Sequence, residues 1–172
     1  MRALLAVIVL LSSWAVACAG DPPKIAVFDF EMIDSSLQGE LNGKRADEQE
    51  RLKKTGDQVR RELGESGKFR LLDIAPVNAA AHQNNLQACG GCDAKLAREL
   101  GTDLYVTGTV QKVSNLILNV NVYLHDAQSG KLITAASADM RGNTDESWSR
   151  ATHYLMKERL LAPNYGAPGA HP

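Results

Sequence analysis

The chain is short of net charge: 19 Lys and Arg against 20 Asp and Glu leave a formal charge of -1 over 172 residues. Phosphate neutralisation needs a basic stripe, and none is visible, so the balance excludes an ordinary nucleic-acid binder. It also lacks the local patterns of common hydrolases and nucleotide enzymes: no glycine-rich phosphate loop, no serine nucleophile elbow and no HExxH helix. Cysteine is scarce, with three in all. The four histidines, His82, His125, His153 and His171, are scattered without ligand spacing, so no metal site is expected. Nothing calls for a cofactor. No apolar run is long enough for a confident membrane span. No internal repeat is present.

What remains, 44% hydrophobic and 23% charged residues, suits a globular chain with one core. Its first segment has export features. Arg2, the apolar run Ala3 to Leu11 and small residues through Ala19 have the layout of a secretory leader over residues 1–19. Ala17-Cys18-Ala19 fits a cleavage site before Gly20, and Ala15-Val16-Ala17-Cys18 is also a loose lipoprotein signal with Cys18 as the acylated residue. An uncleaved hydrophobic anchor is the third reading. Export leaves Cys89 and Cys92 together in an oxidising compartment, where a local disulfide is the default.

Thr102 to Arg141 predicts an antiparallel meander of three strands. Leu104, Val106, Gly108 and Val110 alternate with Tyr105, Thr107, Thr109 and Gln111; Leu116 to Leu124 alternate with Asn119, Asn121, Tyr123 and His125. Asp126 to Gly130 supplies the turn before a strand from Leu132 to Met140. Upstream, Lys24 to Phe30 reads as a strand buried on both faces, Met32 to Lys44 as a long loop, and Arg45 to Leu63 as a helix burying Leu52, Gly56, Val59 and Leu63. Phe69 to Leu72 is a short strand. Helices are expected over Val77–Gln83 and Ala94–Leu100, the latter with Asp93 at its cap. Asn143 and Glu146 have capping-box spacing for a helix from Asp145 to about Leu161, burying Trp148, Leu155 and Met156 against Thr134, Ala136 and Ala138. Residues 162–172 form a Pro/Gly/Ala tail expected to be disordered. The expected fold is α/β (α+β): one three-layer-like domain over residues 24–161, a mixed sheet ending in the meander, with packed helices.

Candidate chemistry is sparse. Cys89-Gly90-Gly91-Cys92 before a helix can be a structural disulfide, a thiol-disulfide exchange pair with Cys89 as nucleophile, or half of a metal site. Asn119, Asn121 and Tyr123, with His125, form a polar ladder, either a recognition surface or the wet face of the sheet. Arg141 to Arg150, containing Asn143, Asp145, Trp148 and Arg150, is a partner-binding segment or a capped turn around one buried aromatic. Asp29 and Glu31, at a strand end, mark either a small-ligand site or ordinary water-facing acids.

Lys24–Phe30 with Asp34, Leu86–Asp93, Val106–Asn119 (VTGTVQKVSNLILN) and Arg141–Arg150 (RGNTDESWSR) together resemble a family of secreted bacterial proteins known as a domain of unknown function. More distantly, the element order resembles the TolB amino-terminal and CsgG-like domains, without the membrane-inserting segments of the latter, which argues against a pore. The resemblance implies a periplasmic, non-enzymatic domain that docks onto envelope proteins, accessory to a periplasmic oxidation system. No catalytic residues are established for that family, so none is carried over; the charge balance leaves nucleic acid out of the expected partners, and membrane contact is expected only through a lipid anchor at Cys18.

Overall fold

The alternation in the meander becomes strands β4 (Leu104–Ser114), β5 (Ile117–Asp126) and β6 (Leu132–Met140) in the computed structural model, which describes residues 21–163 and Tyr165. The leader with Cys18, and all of the tail after Pro163 except Tyr165, lie outside the described residues. Both hairpins are antiparallel, with Val106 opposite Leu124 and Val122 opposite Ala136. Gly130 takes a φ of 69° in the second turn, where a Cβ would be strained.

The upstream strand is shorter than expected. β1 (Lys24–Val27) sits between β3 (Arg70–Leu71) and β4, parallel to both. The chain then kinks through Asp29, and β2 (Glu31–Asp34) resumes along the same edge of β4, again parallel. This corrects the loop expected over Met32 to Lys44, because β2 is held by its partner strand and not by a pattern of its own. A short helix, α1 (Leu37–Asn42), follows, capped by Ser36, whose side chain accepts from Gly39 N–H. The sheet order is β3-β1-β4-β5-β6, with β2 also on β4.

Helices cover both faces. On one side lie α2 (Ala46–Glu65) and α5 (Asp145–Leu155), the latter extended by a π-helical turn over Met156–Leu161. Leu52, Val59, Leu63, Trp148, Leu155 and Met156 pack there against Ile25, Val27, Val106 and Val122. On the other side, α3 (Ala75–His82) and α4 (Cys92–Glu99) cover Ala26, Phe28 and Tyr105. The architecture is therefore a mixed α/β sheet between two helical layers, as the residue order predicts. One cap differs: Gly91, at φ 105°, precedes α4, and Asp93 instead accepts from the Tyr105 hydroxyl at 2.9 Å.

Candidate functional site

The odd-numbered residues of β5 point away from α2 and α5, which places Asn119, Asn121, Tyr123 and His125 in a half-buried row. Much of this row is bonded within itself. Asn121 Nδ2 donates to Asn119 Oδ1 at 2.9 Å and to Thr109 Oγ1 at 3.2 Å. His125 stacks on Tyr105 with ring centroids 4.7 Å apart. Burial lowers the His125 pKa, against the pull of Asp93. Burial, then the Asp93 hydrogen bond, pushes the Tyr105 hydroxyl well above its ordinary range. The row offers amides and hydroxyls to a partner, and no nucleophile with a base beside it.

The segment Arg141 to Arg150 divides. The helix cap is Thr144, whose hydroxyl accepts from Ser147 N–H, and not Asn143. Asn143 is drawn elsewhere: its Nδ2 donates to Glu48 Oε1 at 2.6 Å and its Oδ1 accepts from Trp148 Nε1 at 2.9 Å. Trp148 is 3% exposed, the burial its place in the helix pattern leads one to expect; with its indole N–H satisfied it belongs to the core, which corrects its inclusion among the partner-contacting side chains. Asp145 stays exposed and accepts from Arg51 and Lys54 at 2.7 and 3.0 Å, which hold its carboxyl below the usual range. Arg150, 75% exposed, pairs with Glu146 one turn away.

Below this segment lies a charged cluster that sequence reasoning missed. The Lys112 side chain is 0% exposed and donates to Glu48, itself 2% exposed, at 2.7 Å. It also reaches Gln38 Oε1 at 3.3 Å and Asp34 Oδ2 at 3.4 Å. A signal was present. Lys112 occupies an even position of β4, in phase with Leu104, Val106 and Val110, and Glu48 stands one turn before Leu52 on the buried face of α2.

The remaining candidates have local partners. Cys89 and Cys92 form a disulfide, and Cys92 N–H approaches Cys89 Sγ at 3.2 Å. Burial pushes the Asp29 carboxyl up, but its bonds to Arg60 and to His82 (2.9 Å) more than offset that, so its pKa is lowered. Glu31 accepts from Leu86 N–H at 3.0 Å. Among the described residues no group of three or more His, Cys, Asp or Glu is placed to hold a metal ion, and no helix is long and apolar enough to cross a membrane.

Residues 23–160 match the family described as DUF3280: Protein of unknown function (DUF2380). The LpoB C-terminal domain from Salmonella enterica superposes with a TM-score of 0.50 at 16% identity, covering 73% of this chain and 87% of that one. The NMR structure of Escherichia coli LpoB gives 0.52 at 16% identity, covering 72% and 58%. TolB from Acinetobacter baumannii gives 0.48 at 18% identity, covering 83% of this chain and 29% of that one. At these identities the likeness to LpoB is one of fold. No curated protein matches the chain.

Proposed function

We propose that this chain, which belongs to the DUF3280 family of proteins of unknown function, is an exported, non-enzymatic binding or adaptor protein of the bacterial envelope. The reading rests on one observation. Ile33, Leu37, Leu41, Val113, Leu116 and Ile117 are all large, apolar and between 45% and 74% exposed. They gather at one end of the sheet, where Ser35 N–H bonds Lys112 O and the β4–β5 turn projects. Large apolar side chains concentrated in one place mark a protein interaction surface. Ile117 shares its sheet face with Asn119 and Asn121, so the apolar end continues into the polar row, as a docking surface with a hydrophobic centre and a hydrogen-bonding margin would.

Export, whether by a cleaved leader or through acylated Cys18, is supported by the sequence of residues 1–19 and by a disulfide that suits an oxidising compartment. β1 begins at the end of the sheet opposite the apolar surface. The family resemblance extends this to an accessory role in a periplasmic oxidation system.

The test is site-specific photo-crosslinking in the native host, with the crosslinker at Leu116 and, as control, at Lys95 on α4. An adduct with an envelope protein from position 116 that is absent at 95, and lost in Ile117→Asp, is the expected result. The identity of that protein tests the oxidation role. Equal adducts from both positions, or none from 116, would overturn the docking assignment. A thiol-disulfide role for Cys89 and Cys92 is the second reading, favoured by the position of Cys92 at the start of α4 and by the partial exposure of both cysteines.

A further inference from the structure

β6 is an edge strand, and it lacks most of the devices that keep an edge from pairing. Among the described residues nothing pairs with its outer side. It is nine residues long, carries neither proline nor an internal lysine, and its register to β5 is regular from Thr134 to Met140, a bulge at Ile133 marking the end of that run. Native edges are ordinarily blunted by brevity, lysine, proline or bulges, and an undefended one is a template for another strand. The residues of the regular run are small: Thr134, Ala135, Ala136, Ser137 and Ala138 leave room for close approach on both faces.

We propose that the occupant of this edge is β6 of a second copy of the chain, paired antiparallel about a two-fold axis at Ser137. This register sets Thr134 against Met140 of the partner subunit, Ala135 against the partner's Asp139, Ala136 against the partner's Ala138, and Ser137 against itself. Every pair lies on matching faces of the pleat, no like charges stand directly opposite, and the central hydroxyls can bond each other. An isologous contact of this kind closes on itself, so the product is a dimer and not a fibre.

The layer above the edge supports the same axis. A groove of about 530 Å³ runs between β6 and α5, lined by Ser137, Ala138, Met140, Arg150, Ala151 and Tyr154. Tyr154 is 52% exposed there, beside the strand position through which the axis passes. Two α5 helices related by that axis meet near Tyr154. Arg150, 75% exposed and one turn before it, then comes toward the partner's Glu158, 46% exposed and one turn after it, an exchange of partners because within one copy Arg150 pairs with Glu146 and Glu158 with Lys157. The contact is thus complementary in charge as well as in register. A strand from the Pro-containing tail is a poorer occupant, because proline cannot donate to the ladder.

The proposal stands apart from the docking surface, which lies at the sheet's end and not along its edge. In the dimer the two apolar ends point in opposite directions, which makes the assembly bivalent.

The test uses the full exported chain purified from the envelope of a bacterium that expresses it. Sedimentation velocity is expected to show dimers at tens of micromolar, and Ser137→Lys, which brings two lysines together at the axis, to weaken association at least tenfold with an unchanged circular dichroism spectrum. Ser137→Cys tests the register separately. Directly opposed residues have Cα atoms about 5 Å apart, within disulfide reach, whereas two copies of position 135 would be roughly 14 Å apart. Mild oxidation should therefore give a covalent dimer from Ser137→Cys and little from Ala135→Cys. A protein that stays monomeric at every concentration, a dimer indifferent to Ser137→Lys, or equal crosslinking at both positions would each overturn the proposal.

Discussion

Replacing Lys112 by methionine is expected to be the most damaging single change on the α2 side of the sheet. The ammonium is fully buried against Glu48 at 2.7 Å, and Glu48 is itself 2% exposed. Removing one member of such a pair strands the other charge in the core, at a cost of about 3–5 kcal/mol. Two contacts moderate the loss: Glu48 keeps Asn143 Nδ2 at 2.6 Å, and Arg45 lies 3.8 Å away. The lower end, about 3 kcal/mol, is therefore the expected figure. With a urea slope of about 2 kcal/mol/M, the midpoint falls by roughly 1.5 M. Urea titration followed by Trp148 fluorescence is the assay, since the indole N–H bonds Asn143, which bonds Glu48. The paired variant Lys112→Met with Glu48→Met removes both charges and should recover to within about 1 kcal/mol of wild type, because burying ions costs much of what their attraction returns. A single variant that loses less than about 1 kcal/mol, or a double variant no better than the single, would refute the reasoning.

Three further outcomes are expected. The folded pKa of Asp29 is lowered from 3.8, so its stabilisation is present above the unfolded value and lost as the pH falls through the lower folded one; acid titration of Asp29→Asn should lack that component. Tyr105 behaves oppositely: its folded pKa is raised above 10.0, so its contribution is complete below about pH 10 and drains away as the pH climbs toward the folded value, and spectrophotometric titration should show one tyrosine fewer ionising in wild type than after denaturation. Replacing Cys89 and Cys92 by alanine opens a loop of sequence separation 3, for which chain entropy predicts a loss of no more than about 2 kcal/mol in urea unfolding; a reduction potential well above about -300 mV for the native pair would instead favour thiol-disulfide exchange over a structural staple.

Most of the sheet was legible because its residues alternate, and α2 because Leu52, Val59 and Leu63 repeat at helical spacing. What escaped depends on distant partners. β2 has no alternation of its own and becomes a strand only by running along β4 after the kink at Asp29. α1 buries no residue, so no periodicity announces it. Asn143 has the spacing of a cap, yet Glu48 and Trp148 outbid the helix end for its amide. Lys112 and Glu48 each stand in phase with apolar neighbours, and only their mutual contact makes those positions tolerable. A charge at a core position is thus informative when a second, opposite charge sits at a core position elsewhere in the chain.

That pairing also bears on binding. Gln38 from α1, Asp34 from β2, Lys112 from β4, Glu48 from α2 and Asn143 from the turn before α5 converge on one hydrogen-bonded cluster. These segments bound the apolar end of the sheet on its inner side. A purely apolar filling would hold them with less directional definition, whereas each bond here fixes one segment's position relative to the next. Surfaces already fixed in their bound shape lose less side-chain and loop entropy on association. The variants separate the two contributions. Lys112→Met with Glu48→Met keeps the apolar surface and most of the stability while removing the cluster, so crosslinking from Leu116 should fall in that protein even though the fold persists. Undiminished crosslinking there would assign the cluster to folding alone and leave recognition to the exposed apolar residues themselves.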